Sequence, residues 1–576
     1  MKNVPLSYFA AMILAISWSS PANGEALHIL VKNGDPAPDE DGEYGGGAGV
    51  WFRAPVINNQ GDVAFLAPLS GASTGSSVRN ITIGSSDLPM TEVARRNTDL
   101  PGGLIGEYNH LETPVMAPGG LAVFHSTLRF TPGGNADNRA LFAGDGSSTV
   151  VVARRGDPAP GGGVLGLFPF STPAVNGAGQ IAFATDLFDT AGGSGDNHAI
   201  LRFDGQGQDM VRIARRGDPV PGGNGTLADI FAPPIMNEAG QVAFKADIEG
   251  SGSSFDAGIF RSDGTTIVRI VRAGNPRPGG DTFTHRVQHP ALNDHGQVAF
   301  SQGGATTQGI YLGDGSKIME IVEPGDALPG GNSLGRVSPA MDLNNAGQIA
   351  FTGTAPPQAT SSSADAGIFR SDGSSTTQIA LKNDLVPAGD VLFNMFTHFA
   401  INATGQVAFR AHLNFDPENV TSNEGTGIFL YDDETGLTEI ARTGEPLLGS
   451  AINELELAAT RVHGPNLPAG SSGLNDHGQV AFRFRLDDGR DGIALWDPSG
   501  SVTGVSIPVL SFDDSGMLTL EWTGPSTMAF VVEYSKDLLD PWHPSGTVPS
   551  YLGGNRWRWQ DADWADFPRR FYRLAW

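Results

Sequence analysis

The chain contains no cysteine, so it has no disulfide framework, thiolate metal site or cysteine nucleophile, and outside a reducing compartment packing alone must hold the fold. Long apolar runs are missing too: beyond residue 24 no stretch approaches the roughly 20 residues that a membrane-spanning helix needs. Basic residues are few, 36 against 62 acidic ones. The resulting formal charge of −26 repels nucleic acid and anionic lipid at long range, which argues against nucleic-acid partners. No Cys/His metal cluster and no calcium loop of the D-x-D-x-D-G type occurs, so the sequence implies no metal and no cofactor.

Turn chemistry is what the sequence has in quantity, with 78 Gly and 39 Pro punctuating short apolar runs. The organising unit is seen at full length in residues 151–183, VVARRGDPAPGGGVLGLFPFSTPAVNGAGQIAF. Its most regular part, N-x-x-G-x-x-A-F, begins at Asn58, Asn176, Asn237, Asn293, Asn344, Asn402 and Asn475, and a degenerate eighth copy reads Ala117/Gly120/Val123/Phe124. Copies lie about 60 residues apart on average, longer than solenoid repeats and near the upper end of propeller blades.

Each unit carries four strand signals. In the third, Ile181 and Phe183 alternate with Ala182 and Ala184, one face filled and one slim. The runs Ala199 to Phe203 and Met210 to Arg215 end at Asp204-Gly205 and Gly217-Asp218-Pro219, where glycine supplies the positive φ of a tight hairpin. The expected fold is all-β: a β-propeller of eight four-stranded blades, with seven as the alternative if the degenerate units do not form complete sheets. Ala-Phe suits it because the sheets pack face to face around an axis and a slim face must meet a bulky one.

Residues 1–24, with Lys2, an apolar run from Tyr8 to Trp18 and Ser20-Pro21-Ala22-Asn23-Gly24, have the form of a secretory signal peptide. The expected location is therefore extracellular or in the cell envelope, periplasm or cell surface, with no membrane span after cleavage. Residues 25–508 hold the repeats. Ala26 to Lys32 matches the fourth strand of a unit, and by completing the last blade it would remove the exposed sheet edges. Ser501 to Ile507 is then a linker; the competing reading makes it the last blade's own outer strand. Residues 509–576 carry Trp522, Trp542, Trp557, Trp559, Trp564 and Trp576 among short alternating runs, and are predicted to form a small sandwich-like β-domain.

A four-stranded meander sorts its loops. The N-x-x-G and Asp-Gly turns share one end and read as structural, whereas the second turns and the G-D-P-x-P-G-G crossings share the other, where binding is expected to concentrate. The crossing residues, among them Asp35, Asp157, Asp218, Asn275 and Asp326, fit Asx turns better than a ring of cation ligands. The preceding Lys32, Arg95, Arg154, Arg215, Arg272 and Arg442 are expected to pair with acids rather than to form an anion-binding rim. Residues 450–462 are the one good helical pattern after residue 24, with Ile452, Leu455, Ala459 and Val462 on one stripe, either plugging a blade junction or forming a lid.

Few chemical motifs stand out. Gly71-Ala72-Ser73-Thr74-Gly75 matches G-x-S-x-G without a strand-to-helix elbow. His285 and His289 have i,i+4 spacing in a strand-like run, where the spacing does not place them as a helix would. Asp39, Glu40, Asp41 and Glu43 read as a solvated loop. No pair of carboxylates can be selected for glycoside hydrolysis, so catalytic residues stay unassigned and the chain reads as a binding protein rather than an enzyme.

Across residues 35–482 the repeated block resembles the bacterial exported NxxGxxAF tandem-repeat proteins that carry interchangeable carboxy-terminal anchors. That resemblance implies no catalytic residues. The tail, with Val532-Glu533-Tyr534, Trp542 and Phe571-Tyr572-Arg573-Leu574, looks like β-modules found on secreted bacterial proteins, and it lacks the closing apolar helix of the anchoring tails. The function expected is that of an exported, monomeric binding or surface-interaction protein for an unknown extracellular ligand, polysaccharide or protein; the alternative is an extracellular carbohydrate-active hydrolase or lyase.

Overall fold

Proline sets the pattern of the inner strands. Three residues before the N-x-x-G position stand Pro55, Pro114, Pro173, Pro234 and Pro290, and a proline there has no N–H to give to a sheet ladder. In the computed structural model the first strand of blades 3 and 4 is accordingly split in two, as Val164–Leu165 with Ala174–Val175 and as Thr226–Leu227 with Ile235–Met236. Both pieces pair with one long second strand. Blades 1 and 2 are split in the same way. In blade 5 Pro290 sits inside Val287–Leu292 and the register shifts there instead. Blade 7 has no proline at this place, and its first strand runs unbroken as Leu392–Ile401.

The structure describes residues 26–46, 50–75, 78–86, 88–166, 172–230, 233–253, 255–303, 309–355, 367–389, 391–414, 425–462 and 471–499, and the strand segments between 509 and 575. The signal-like residues 1–24, the linker residues 501–507, and Trp542, Trp564 and Trp576 lie outside them. Two units are distinguished, Lys32–Ile493 and a second made of Met1–Val31 with Ala494–Trp576.

The chain forms an eight-bladed β-propeller of antiparallel sheets. The degenerate copy at Ala117 builds a complete blade around Ala122–Arg129, which decides for eight over seven. In the last sheet Ser450–Leu457 pairs with Val480–Leu486. Within the repeat unit its two ends meet: Asn33 N–H reaches the Asp491 carbonyl at 2.9 Å, and Phe52 N–H reaches Asp491 Oδ2 at 2.8 Å.

The core follows from the Ala-Phe pair. Phe65, Phe124, Phe183, Phe244, Phe300, Phe351, Phe409 and Phe482 have no measurable exposure. Each burial is worth on the order of 2 to 3 kcal/mol. Phe183 packs towards blade 2, with Val123 and Leu141, while Ala182 and Ala184 receive Phe244 and Val242 of blade 4. The same handover recurs from Ala243 to Phe300, Ala299 to Phe351 and Ala350 to Phe409. In most blades the phenylalanine also stacks on a cross-strand aromatic, as in Phe244 on Phe260 at 5.7 Å and Phe409 on Phe429 at 5.3 Å, a pairing that adds to burial.

The helix expected over 450–462 does not form. Ser450–Leu457 is the inner strand of blade 8, paired with Val480–Leu486, and Thr460–Arg461 is a two-residue strand on Leu392–Ile401 of blade 7. A bulge between Ile452 and Glu454 adds one residue to the strand's period of two. The buried residues Ile452, Leu455 and Leu457 therefore start with a step of three, which imitates a helix.

In the second unit, residues 509–575 form two small antiparallel sheets. One orders Val509–Phe512, Leu518–Thr523, Arg556–Asp561 and Ser550–Gly553, and the other orders His543–Pro544, Val531–Ser535 and Phe571–Ala575. Trp522 lies opposite Trp557 in the first.

Candidate functional site

The N-x-x-G asparagine does three things at once. Asn176 Oδ1 accepts the N–H groups of Ala178 and Gln180, closing the turn. Its Nδ2 donates to Gln180 Oε1 at 2.9 Å and to the carbonyl of Asn237 in the next blade at 3.2 Å. The interblade bond repeats from Asn237 to Asn293, Asn293 to Asn344, Asn344 to Asn402, Asn402 to Asn475, and Asn475 to Asn58. Asn58 continues it to Pro118. Ala117, with no side-chain amide, leaves the single step to blade 3 unmade. The Gly of the motif takes the positive φ that the turn requires, 75° at Gly179.

Around this belt lies a cavity of about 270 Å³ at the axis, lined by the residue before each asparagine, such as Met236, Leu343 and Ile401, and by the residue after it, such as Glu238, Asp294 and Asp476. Those carboxylates are already engaged. Glu238 Oε2 accepts Gly177 N–H, Asp294 accepts Glu238 N–H and Asn345 Nδ2, and Asp476 accepts Ala403 N–H and Asn59 Nδ2. Among the described residues no aromatic lines the cavity. Polar capacity at this end is spent on joining blades.

The crossing end is built differently. Asp157, Asp218 and Asp326 each accept the backbone N–H three residues back, at 2.8, 2.8 and 2.7 Å, and Asn275 does the same at 2.9 Å. Arg215 and Arg272 are buried against Asp196 and Asp256, and Arg154 half-buried against Asp137, and Arg215 also holds the carbonyls of Gly161 and Gly162 in the previous crossing. Arg95 gathers Asp39, Asp41 and Glu92, which absorbs most of the acidic loop. Ser73 of the G-x-S-x-G match donates to Asp41 Oδ2 at 2.8 Å from an exposed loop. His285 rests against the Phe255 ring at 5.4 Å, and His289 lies in the strand Val287–Leu292, so the two histidines are not brought together as ligands. Among the described residues no group of three or more His, Asp and Glu is placed to hold a metal.

Three exposed phenylalanines mark the second turns of successive blades: Phe130 at 71% exposure, Phe188 at 40% and Phe255 at 72%. The Arg129 guanidinium lies 4.9 Å from the Phe130 ring centre and that of Arg155 lies 5.6 Å from Phe188. Phe130 holds φ at 56°, a left-handed conformation that costs a bulky residue about 1 kcal/mol or more.

Inside the ring, blades 6 to 8 carry titratable groups where other blades carry small or apolar ones. Asp342 stands two residues before its asparagine, where other blades have Ala, Val, Ile or Gly, and accepts the N–H groups of Ile401 and Leu343, both at 3.0 Å. Its surface keeps some solvent contact, but protein encloses the carboxyl on all sides, and that enclosure pushes its pKa up to about 6. His398 is driven down to about 4 by burial, then by Arg410, Arg461 and His412. Arg483 of blade 8 binds Asp491 at 2.7 Å and Glu456 at 3.1 Å, and Arg485 lies 3.8 Å from the Trp51 ring centre. The sequence signal for this cluster is Ala408-Phe409-Arg410 followed by Ala481-Phe482-Arg483, two consecutive copies with arginine after the phenylalanine.

The sequence matches a family model over residues 12–145 and 57–500. The chain belongs to the Family of unknown function (DUF7453). No curated protein matches it. Among solved structures it is similar to prolyl oligopeptidase B from Galerina marginata, with a TM-score of 0.34 and 9% identity over 82% of this chain and 55% of that one. It is also similar to the Trypanosoma rangeli sialidase, with a TM-score of 0.28 and 9% identity over 96% and 87% of the two chains. Polysaccharide lyase Uly1 gives a TM-score of 0.29 and 9% identity over 82% and 97%. With every TM-score below 0.5, these likenesses carry no argument about activity.

Proposed function

We propose that this member of the family is an exported binding protein, located outside the cell or in its envelope, whose crossing end takes an extracellular ligand, a polysaccharide in the first instance. One observation carries the reading: three successive second turns hold a phenylalanine out to solvent. Aromatic faces fixed on a rigid scaffold suit the apolar faces of sugar rings, and exposed apolar groups gathered on one surface mark interaction sites. At Phe130 the arginine covers one face of the ring and leaves the other open. The opposite end, with its acids and amides bonded to one another, has little left to offer a ligand.

The test is retention of the purified protein on a panel of immobilised polysaccharides, with release of reducing ends scored in the same samples. Retention that is lost in the triple variant Phe130→Ala, Phe188→Ala, Phe255→Ala supports the reading; no retention on any polymer defeats it. A second reading, a carbohydrate-active hydrolase or lyase, is favoured by the Asp342 carboxyl, whose pKa near 6 suits a general acid or base. Reducing-end release abolished by Asp342→Asn would decide for it.

A further inference from the structure

The innermost strands of blade 7 place three nitrogen-rich side chains in one row. His398 on Leu392–Ile401 lies directly opposite Arg410 on Val407–Asn414, and on its other side directly opposite Arg461 of Thr460–Arg461. Residues paired in this way across antiparallel strands share a face of the sheet, and like charges so close are destabilising. Thr460–Arg461 lies on the axis side of the blade, so the row opens towards the central channel.

Acidic residues act on it only from a distance, Glu456 and Glu454 of blade 8 favouring the Arg410 charge without forming an ion pair with it. Arg483, at the matching place after the phenylalanine in blade 8, is met directly by Asp491 and Glu456. Among the described residues Arg410 instead donates only to Thr397 Oγ1 at 3.3 Å, and its buried Nε has no hydrogen-bond partner. Arg461 is exposed and makes no ion pair among the described residues. The nearest acids, Glu454 and Glu456 of blade 8, are already held by Arg483 at 3.6 and 3.1 Å, and Glu454 also by Arg485 at 3.8 Å. A half-buried guanidinium with no carboxylate in contact is costly. In a chain with 62 acidic residues against 36 basic ones, folding alone gives no reason to keep it.

We propose that Arg410, His398 and Arg461 form a receptor site for an oxyanion, a carboxylate or a sulfate ester carried by the ligand. The proposal rests on the binding reading above and narrows its ligand class to acidic glycans. Guanidinium forks match the planar or tetrahedral oxygens of such groups and give charge-assisted hydrogen bonds. Between the two forks His398, neutral at pH 7, supplies a further hydrogen bond, with Thr397 Oγ1 3.1 Å from its Nδ1. The anion supplies the contacting counter-charge that Arg410 lacks.

The experiment is titration calorimetry of the full chain with polygalacturonate, D-glucuronate, inorganic sulfate and a neutral glucan, on the parent and on Arg461→Gln, Arg410→Met and the remote control Arg269→Gln. Binding of an anionic probe that falls at least tenfold in Arg461→Gln and is unchanged in Arg269→Gln is the expected result. Arg461 is exposed, so this variant keeps the fold. Arg410→Met removes an unpaired buried charge and should raise the melting temperature of the free protein by a few degrees while abolishing anion binding. Polygalacturonate far tighter than glucuronate assigns the site to a polymer, and sulfate or glucuronate binding as well as the polymer assigns it to a free oxyanion. Neutral glucan binding with no response to the anions overturns this proposal and leaves the binding function standing. Silence across all four probes on a protein that is retained by other polysaccharides also overturns the proposal alone; silence everywhere overturns both.

Discussion

Asn475 of the last blade donates its side-chain amide to the carbonyl of Asn58 in the first, 2.9 Å away and 417 residues distant in sequence. One hydrogen bond thus joins the two ends of the ring, and six others of the same kind carry it round. A repeat residue that reads as a turn former is also the joint between blades.

Removing that joint should cost more than losing a turn. Asn475→Ala leaves the carbonyl of Asn58 without its donor and the N–H groups of His477 and Gln479 without their acceptor, a loss of about 1 to 3 kcal/mol. Chemical denaturation, compared with the surface variant Asn453→Ala, checks it.

The gap at Ala117 can be filled. Ala117→Asn together with Leu121→Gln restores both side chains that six of the other seven turns use, and should add a hydrogen bond towards Asn176 and raise stability by about 0.5 to 1.5 kcal/mol. A thermal melt unchanged or lowered would show that blade 2 is spaced differently from the rest.

Phe183→Ala and Phe300→Ala each empty a fully buried site between two blades and should lower stability by roughly 3 to 5 kcal/mol through the cavity left behind. Urea midpoints indistinguishable from the parent would contradict the packing described.

Two groups in the channel wall oppose each other in acid. His398, lowered to about 4 from an unfolded value near 6.5, takes up its proton more readily when unfolded, so its contribution to stability falls as pH drops from about 6.5 to 4. Its surroundings, Arg410, Arg461 and His412, are all cationic or potentially so, and His412 is lowered too, by burial and then by Arg410. Asp342, raised to about 6 from about 3.9, binds its proton more tightly when folded, so its contribution is present below the unfolded value and is lost as pH rises through 6. Relative to the parent, Asp342→Asn should make stability fall more steeply between pH 6 and 4, and His398→Gln should make it fall less. Either effect amounts to no more than about 2 to 3 kcal/mol. Denaturation midpoints measured at half-unit pH steps give the slopes.

Much of this fold was legible in the residue order. The Ala-Phe alternation foretold a slim face meeting a bulky one because both requirements are local to one strand. The Asp of the crossings, three residues from the N–H groups they accept, could be read as turn formers for the same reason. Partners 50 to 70 residues away were not legible: the N-x-x-G spacing shows that an asparagine recurs, not that its amide crosses to the next blade. The same limit hid the row at His398, whose neighbours Arg410 and Arg461 meet it only when three strands align. At Ile452 a single bulge shifted the apolar spacing from two to three and gave a strand the look of a helix.

The proposed division of the propeller, one end joining blades and the other meeting a ligand, is tested by one paired measurement. Retention on the best-bound polysaccharide and the melting temperature are recorded for the triple Phe130, Phe188 and Phe255 to alanine variant and for Asn475→Ala. Loss of retention at an unchanged melting temperature in the first, with retention kept at a lowered melting temperature in the second, is the result expected. Retention kept in the first and lost in the second, under conditions where both proteins are folded, would place the working surface at the wrong end and contradict it.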